Sequence, residues 1–162
     1  MPYIIILVVI LMLIIAISLP ARIETEIIIN ASREEVYKKI INFESFSSYS
    51  PFIQNIKGKA IKGETLTVEL GLKGEEPFTI KPKVIRIDEN KLFCWKGKVG
   101  LGYIFDGVHC FEVQNIDENS VKFMHYETFR GLLVWPMNHK VIPPTKDKFK
   151  LHNIAFKKVC EA

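Results

Sequence analysis

Residues 105–131 alternate between large apolar side chains and other side chains with a period of two, which is the pattern of two adjacent β-strands. Side chains two apart on a strand point the same way, so one face of this pair is apolar except at His109, His125 and Glu127. Three polar groups among large apolar ones predict one of two arrangements. They form a hydrogen-bonded network in a filled core, or they line a cavity.

The rest of the chain predicts an α+β fold that ends in a helix. A β-branched strand at 23–29 is followed by helix-capping Asn30 and Ser32 and by two short helical segments that end before Pro51. About six antiparallel strands follow, and residues 146–160 form the C-terminal helix. The other predicted strands are 57–62, 66–72, 78–87 and 91–99, and residues 131–145 are predicted to be a short helix and a loop because of Pro136, Pro143 and Pro144.

Short connections between these strands favour hairpins, and hence one curved antiparallel sheet wrapped around the C-terminal helix. This arrangement buries the apolar face of the sheet and that of the helix together. A long sheet curved around a single helix favours a cavity, and a completely filled core is the alternative.

Composition excludes several classes of protein. The chain has 162 residues with 48% hydrophobic content, enough for one domain with a core and too apolar for a disordered chain. The net charge of +4 comes from interspersed signs, which argues against a nucleic-acid-binding protein. The three cysteines, Cys94, Cys110 and Cys160, have no metal-binding spacing and indicate neither a zinc site nor a disulfide scaffold. They are predicted to be small core residues in a reducing compartment.

The N-terminal segment differs from the rest of the chain. Residues 3–19 are an unbroken apolar run, so residues 1–21 are predicted to be a transmembrane anchor and residues 22–162 the folded domain. Basic residues follow the run and none precede it, which predicts a single-pass membrane protein with a cytoplasmic domain. The alternative is a cleaved signal peptide, which would make the domain secreted or periplasmic.

Several local patterns resemble one known group of proteins. In order, over roughly residues 23–161, they are similar to the polyketide cyclase/dehydrase-like branch of the SRPBCC superfamily, which includes START domains and birch-pollen allergens. The segments that carry the resemblance are Ala31–Tyr37, Phe43–Phe46, Ser50–Ile53, Gly63–Leu66, Trp95–Gly97, Gly107–Phe111, His125–Gly131 and Phe149–Lys157.

The resemblance implies a helix-grip fold with a cavity for a hydrophobic ligand between the sheet and the C-terminal helix. The residues predicted to bind the ligand are Trp95, His109, Phe111, Phe123, His125, Glu127, Phe129 and Phe156. A carboxylate in an apolar cavity is costly unless it is protonated or paired, and His109, His125 or Arg130 could pair with Glu127. No cofactor is implied. A metal site of His109, His125 and Glu127 has the right ligand types but lacks a fourth ligand.

These observations predict a membrane-tethered domain that binds a hydrophobic small molecule or lipid. Two alternatives remain open. In the first, the domain is a cyclase- or dehydratase-type enzyme whose catalytic candidates are Glu127, His125 and His109. In the second, it is a non-catalytic interaction module with a filled core. The predicted partners are a hydrophobic ligand and a membrane, with no nucleic acid.

Overall fold

The computed structural model describes residues 2–162 and contains eight strands and four α-helices within that range. A short 3-10 helix, Phe43–Ser45, precedes the third α-helix. In chain order the strands are β1 (Ala21–Ile29), β2 (Ile53–Lys57), β3 (Thr67–Leu70), β4 (Phe78–Ile80), β5 (Lys83–Asp88), β6 (Leu92–Val99), β7 (Phe105–Asn115) and β8 (Val121–Arg130). The helices are α1 (Pro2–Ser18), α2 (Arg33–Ile41), α3 (Phe46–Tyr49) and α4 (Val134–Cys160).

The strands form two antiparallel sheets that are joined at one edge. Five strands pair in the order β1-β8-β7-β6-β5, and three pair in the order β2-β3-β4. The segment before β3 connects them, because the Leu66 amide donates to the Pro82 carbonyl and the Val84 amide donates to the Glu64 carbonyl, both at 2.8 Å. The predicted helix-grip architecture, an antiparallel sheet with a long C-terminal helix, is confirmed.

The alternation of side chains sets which face of the large sheet is buried. Phe93, Phe111 and Phe123 point inward from β6, β7 and β8 and are fully buried. Helix α4 packs on this face through Phe149 and Phe156, which are also fully buried and lie seven residues, or about two turns, apart. The core therefore lies between the sheet and α4, as the apolar patterns of both elements require.

Helix α4 is longer than the sequence predicts. Residues 131–145 are predicted to be a short helix and a loop, yet one helix runs from Val134 to Cys160 with Pro143 and Pro144 inside it. Proline removes a backbone donor and normally ends or kinks a helix. Here both ends of the helix are held by buried side chains, among them Val134 and Phe156, so packing outweighs the local preference.

Two strand boundaries also differ from the prediction. The strand predicted at 57–62 lies earlier, as β2, and a turn containing Gly58 follows it. The strand predicted at 78–87 is divided into β4 and β5 near Pro82, because proline cannot donate the amide that a continuous ladder needs.

The predicted absence of a disulfide is wrong. Cys94 on β6 and Cys110 on β7 are directly opposed in register and form a disulfide with a Cα–Cα distance of 4.2 Å. They lie on the sheet face opposite to Trp95 and His109, beside Leu92. Hairpin register brings them together, which their spacing along the sequence does not reveal. The expectation of a reducing compartment rested on free thiols and loses that basis.

Replacing both bridged cysteines by serine is expected to lower the free energy of unfolding by about 3 kcal/mol. The bridge joins residues 16 apart and so restricts the unfolded chain. Urea denaturation of the double variant measures the loss, and Cys160→Ser, which leaves the bridge intact, is the control. Equal unfolding free energies for the double variant and the parent would contradict this assignment.

The predicted membrane anchor is also wrong. Its first residue, Met1, lies outside the described residues, Pro2–Ser18 form α1, a helix of 17 residues, and Ala21 belongs to β1. None of the helices in residues 2–162 combines the length and apolarity that crossing a membrane requires. The single-pass membrane localisation rested on this anchor and is contradicted with it.

Candidate functional site

A cavity of about 480 Å³ lies between the large sheet and α4. Its walls are mostly apolar and aromatic, and its polar lining residues are few. The residues that line it are Phe52, Ile53, Leu70, Gly71, Glu75, Glu76, Phe78, Ile80, Trp95, Gly97, Lys98, Val99, Phe105, Gly107, His109, Glu127, Phe129, Val141, Thr145, Lys148 and Phe149. Its volume and lining are those of a small-molecule site.

One row of cross-strand neighbours forms the polar floor of the cavity. Trp95 on β6 is opposite His109 on β7, and His109 is opposite Glu127 on β8. The Trp95 and His109 rings stack with centroids 4.8 Å apart. His109 Nδ1 lies 3.7 Å from a Glu127 carboxylate oxygen. Direct opposition in an antiparallel ladder brings side chains of neighbouring strands this close.

Gly107 creates the space for the Glu127 carboxylate. A β-carbon at position 107 would lie 2.4 Å from Glu127 Oε1, closer than any real contact allows. The carboxylate therefore rests on the bare backbone of β7, two residues before His109. This explains the glycine on a strand that is otherwise built of larger residues.

His125 lies behind the floor, fully buried, at the centre of a hydrogen-bond network. Its Nδ1 is 3.0 Å from Asn153 Oδ1, and its Nε2 is 2.9 Å from His109 Nε2. The Asn153 amide nitrogen donates to Thr25 Oγ1 at 3.0 Å, and the Thr25 hydroxyl donates to the His125 carbonyl. Burial, together with nearby His109 and His152, holds the pKa of His125 well below its ordinary value of 6.5.

The partners in this network fix its direction. Because the Thr25 hydroxyl is used as a donor, it accepts from the Asn153 amide, which turns the Asn153 oxygen toward His125 Nδ1. His125 Nδ1 therefore carries a hydrogen, and Nε2 of the neutral ring is an acceptor. His109 must then donate from its own Nε2. This leaves His109 Nδ1, which faces Glu127, as the end of the chain at the cavity.

Helix α4 contributes polar residues to the site that were not predicted from the sequence. His152, fully buried, is 3.1 Å from the Ser50 hydroxyl through its Nδ1, and Ser50 Oγ accepts from the Ile53 amide. Burial, with His109 nearby, lowers the pKa of His152 to about 3. His152 and Asn153 lie between Phe149 and Phe156 on one helical stripe, and this spacing is the signal that could have revealed them.

The structure divides the predicted ligand-binding residues into two groups. Trp95, His109, Glu127 and Phe129 line the cavity. Phe111, Phe123, His125 and Phe156 are buried in the core, outside its lining. Of the partners considered for Glu127, His109 is the one that faces its carboxylate, whereas His125 lies one row behind and Arg130 is exposed.

The alternative of a metal site gains no support from this geometry. His109 and His125 direct their Nε2 atoms at each other, 2.9 Å apart, so the two rings do not converge on a common point. Throughout residues 2–162, no group of three or more histidine, cysteine, aspartate or glutamate side chains is arranged to hold a metal ion.

Comparisons with known proteins agree on the fold. No family model and no curated protein matches the sequence. Among solved structures, the chain is similar to the aromatase/cyclase Zhui from Streptomyces sp. R1128, with a TM-score of 0.69 and 8% identity over 88% of this chain and 94% of that one. It is also similar to norcoclaurine synthase from Thalictrum flavum (TM-score 0.66, 15% identity, 88% of this chain and 94% of that one).

A third similar structure is Ara h 8.0201, with a TM-score of 0.67 and 18% identity over 87% of this chain and 97% of that one. These proteins share helix-grip architecture with the chain. Because their sequence identities to it are below 20%, the similarity is evidence of a common fold and not of a common function. The resemblance that the sequence motifs indicated is confirmed for the fold: the chain has the same helix-grip fold as these three proteins, which are members of the SRPBCC, or Bet v1-like, superfamily.

Proposed function

We propose that this domain binds a hydrophobic small molecule in the cavity between the large sheet and α4. The observation that carries the proposal is the cavity itself, about 480 Å³ with aromatic walls and a floor formed by His109 and Glu127. Apolar walls favour burial of the ligand by about 25 cal/mol for each Å² removed from water. The few polar groups fix its orientation.

Two of the similar structures support the binding of a small molecule by a protein of this fold. One is an aromatase/cyclase, and the norcoclaurine synthase was solved with a transition-state analogue. A filled core, which the interaction-module alternative requires, does not fit the cavity seen here.

A neutral fluorescent dye, N-phenyl-naphthylamine, tests binding. We expect its emission to rise on addition of the protein and to saturate at one dye per chain. Val141→Trp, which adds a large ring to the cavity wall on α4, is expected to lower the dye affinity at least about tenfold, the cost of losing part of an apolar site.

Ile154→Trp is the matched control for that variant, since Ile154 is on the exposed face of the same helix and outside the cavity lining. It should leave dye binding unchanged. A dye that does not bind the parent protein, or that binds Val141→Trp as tightly, would refute the proposal. Native mass spectrometry of the purified chain gives a second reading, through any ligand retained from the cell.

The directional hydrogen-bond chain favours one second candidate, a cyclase- or dehydratase-type enzyme. Its cavity end places a carboxylate and an imidazole nitrogen 3.7 Å apart. In a dehydration, His109 Nδ1 would take the proton next to a ligand carbonyl, and the Glu127 carboxylate would stabilise the imidazolium formed. The imidazolium would then give this proton to the leaving hydroxyl, which departs as water and leaves both side chains in their starting states.

Retained ligands distinguish the enzyme from a binding protein. If the domain dehydrates its ligand, the parent protein should retain a species one water lighter than the species that His109→Gln retains. Retained ligands of the same mass in both proteins would count against a dehydration that depends on His109.

A further inference from the structure

The Glu127 carboxylate is a hydrogen-bond acceptor without a donor. In the part of the chain that the structure describes, His109 is the one basic side chain close to it, and their separation of 3.7 Å is too long for a hydrogen bond. The side chain is 19% exposed, and its residue lines the cavity. A partly buried carboxylate in this position gains free energy from any donor that a ligand brings.

His109 adds a second acceptor beside the first. Its Nε2 hydrogen is committed to His125, whose Nδ1 in turn is held by Asn153. In its neutral form, the His109 ring therefore presents an unprotonated Nδ1 toward Glu127 and the cavity. His125 and Asn153 do not line the cavity, but their hydrogen bonds fix which nitrogen of His109 carries the hydrogen. They thereby leave two hydrogen-bond acceptors, His109 Nδ1 and the Glu127 carboxylate, facing the cavity.

Four charged residues line the cavity besides Glu127, and two of them, Glu75 and Glu76, are exposed carboxylates. The two lysines of the lining, Lys98 and Lys148, are exposed and half-buried respectively, and neither forms an ion pair with Glu127 among residues 2–162. The deep floor therefore carries one carboxylate and no ammonium or guanidinium group. The Glu127 carboxylate would repel an anionic group on the ligand, whereas a cationic group would form an ion pair with it.

Aromatic rings complete this environment. Trp95, Phe105 and Phe129 belong to strands that carry the floor, and Phe149 faces it from α4. The negative faces of such rings attract a cation held close to them, and most strongly when it is desolvated. Apolar walls, an aromatic lining and a carboxylate without a donor together match one kind of ligand.

We propose that the ligand is an apolar amine, bound as its ammonium form by the Glu127 carboxylate and by His109 Nδ1. This inference rests on the proposed function, since it names the chemical class that the same cavity takes. The ammonium hydrogens occupy the gap between the two acceptors, and the apolar body lies against the aromatic walls.

Three matched probes test the proposal: naphthylethylamine, naphthylethanol and naphthylacetate, titrated calorimetrically at neutral pH. They share one ring system and differ in the charge of the polar end. A hydrogen bond between charged groups corresponds to at least about tenfold in affinity, so the amine should bind at least tenfold tighter than the alcohol, and the acid should bind most weakly.

Two variants locate the effect. Glu127→Gln should remove the preference for the amine, an affinity loss of about tenfold or more, while the alcohol still binds and so shows that the variant is folded. Gly107→Ala, which displaces the carboxylate by occupying the space of its Oε1, should lower amine affinity in the same direction. Glu26→Gln removes an exposed carboxylate from the same sheet and should change nothing.

The outcomes separate this inference from the function on which it rests. Equal affinities for amine and alcohol, tighter binding of the acid, or an amine preference that survives Glu127→Gln would overturn the inference and leave ligand binding in place. If none of the three probes binds, the cavity is not a site for apolar molecules of this size, and the proposed function fails as well.

Discussion

Lowering the pH from about 7 to about 5 is expected to reduce the free energy of unfolding by at least about 2 kcal/mol, the contribution of His152, to which His125 adds in the same direction. Both rings are buried, and burial holds the pKa of each below its ordinary value of 6.5, to about 3 for His152. Below pH 6.5, these two histidines therefore bind protons in the unfolded chain but not in the folded chain. The stabilising contribution is present above pH 6.5 and is lost as the pH drops below it, by about 2 kcal/mol for His152 at pH 5, and the loss through His125 has the same sign.

Chemical denaturation at the two pH values measures this loss. His152→Gln should lower the pH dependence by about 2 kcal/mol between these pH values, because one of the two buried rings no longer titrates. His139→Gln, which removes an exposed histidine from the same helix, should leave it unchanged. Equal stability of the parent at both pH values would show that the buried rings accept protons without cost, and that the network is not as described.

Replacing Asn153 by leucine is expected to cost about 4 kcal/mol of stability. The change leaves His125 Nδ1 and Thr25 Oγ1 without the partners that now lie 3.0 Å from each, and a buried polar group left unpaired costs about 1–3 kcal/mol. Leucine is of similar size, so the loss reports on hydrogen bonding more than on packing.

Asn138→Leu is the matched control, since Asn138 is on the same helix and takes no part in the network. Thermal or urea unfolding should place it within about 0.5 kcal/mol of the parent. The Asn153 variant should also free His125 to adopt its other tautomer, which NMR of the ring nitrogens would detect. A stable Asn153→Leu protein with the parental tautomer would contradict the assigned direction of the hydrogen bonds.

Part of the site follows from sequence alone because strand parity is a strict rule. The period of two places Trp95, His109 and Glu127 on one face, and hairpin register then makes them neighbours. The same rule cannot tell which of two adjacent rows borders a cavity. For this reason His125, one row away and of the same chemical type as His109, was predicted to contact the ligand although it lies behind the floor.

Contacts between distant segments were harder to predict. Asn153 bonds to Thr25, 128 residues earlier, and His152 bonds to Ser50, 102 residues earlier. Nothing local in the sequence specifies such pairs. The disulfide between Cys94 and Cys110 was missed for a related reason, because its geometry depends on the register of β6 and β7.

The helices show where local preference gives way to packing. Ser32 and Glu35 form the capping box that starts α2, which the cap residues had indicated. Pro143 and Pro144 were expected to interrupt the C-terminal helix, yet it continues through them because Phe149 on one side and Val134 on the other anchor it to the core. For α1, an apolar composition suggested a membrane span that its length of 17 residues does not reach.

The central claim is that an apolar ligand enters the cavity above His109 and Glu127, and Trp95 reports on it directly. The chain has two tryptophans, and Trp135 is exposed outside the cavity lining, so Trp135→Phe leaves Trp95 as the single emitter. Titrating naphthylethylamine into this variant should change Trp95 emission saturably, with one ligand per chain, and Val141→Phe in the same background should weaken the binding. Trp95 emission that stays constant while the ligand binds would place the ligand elsewhere and contradict the account.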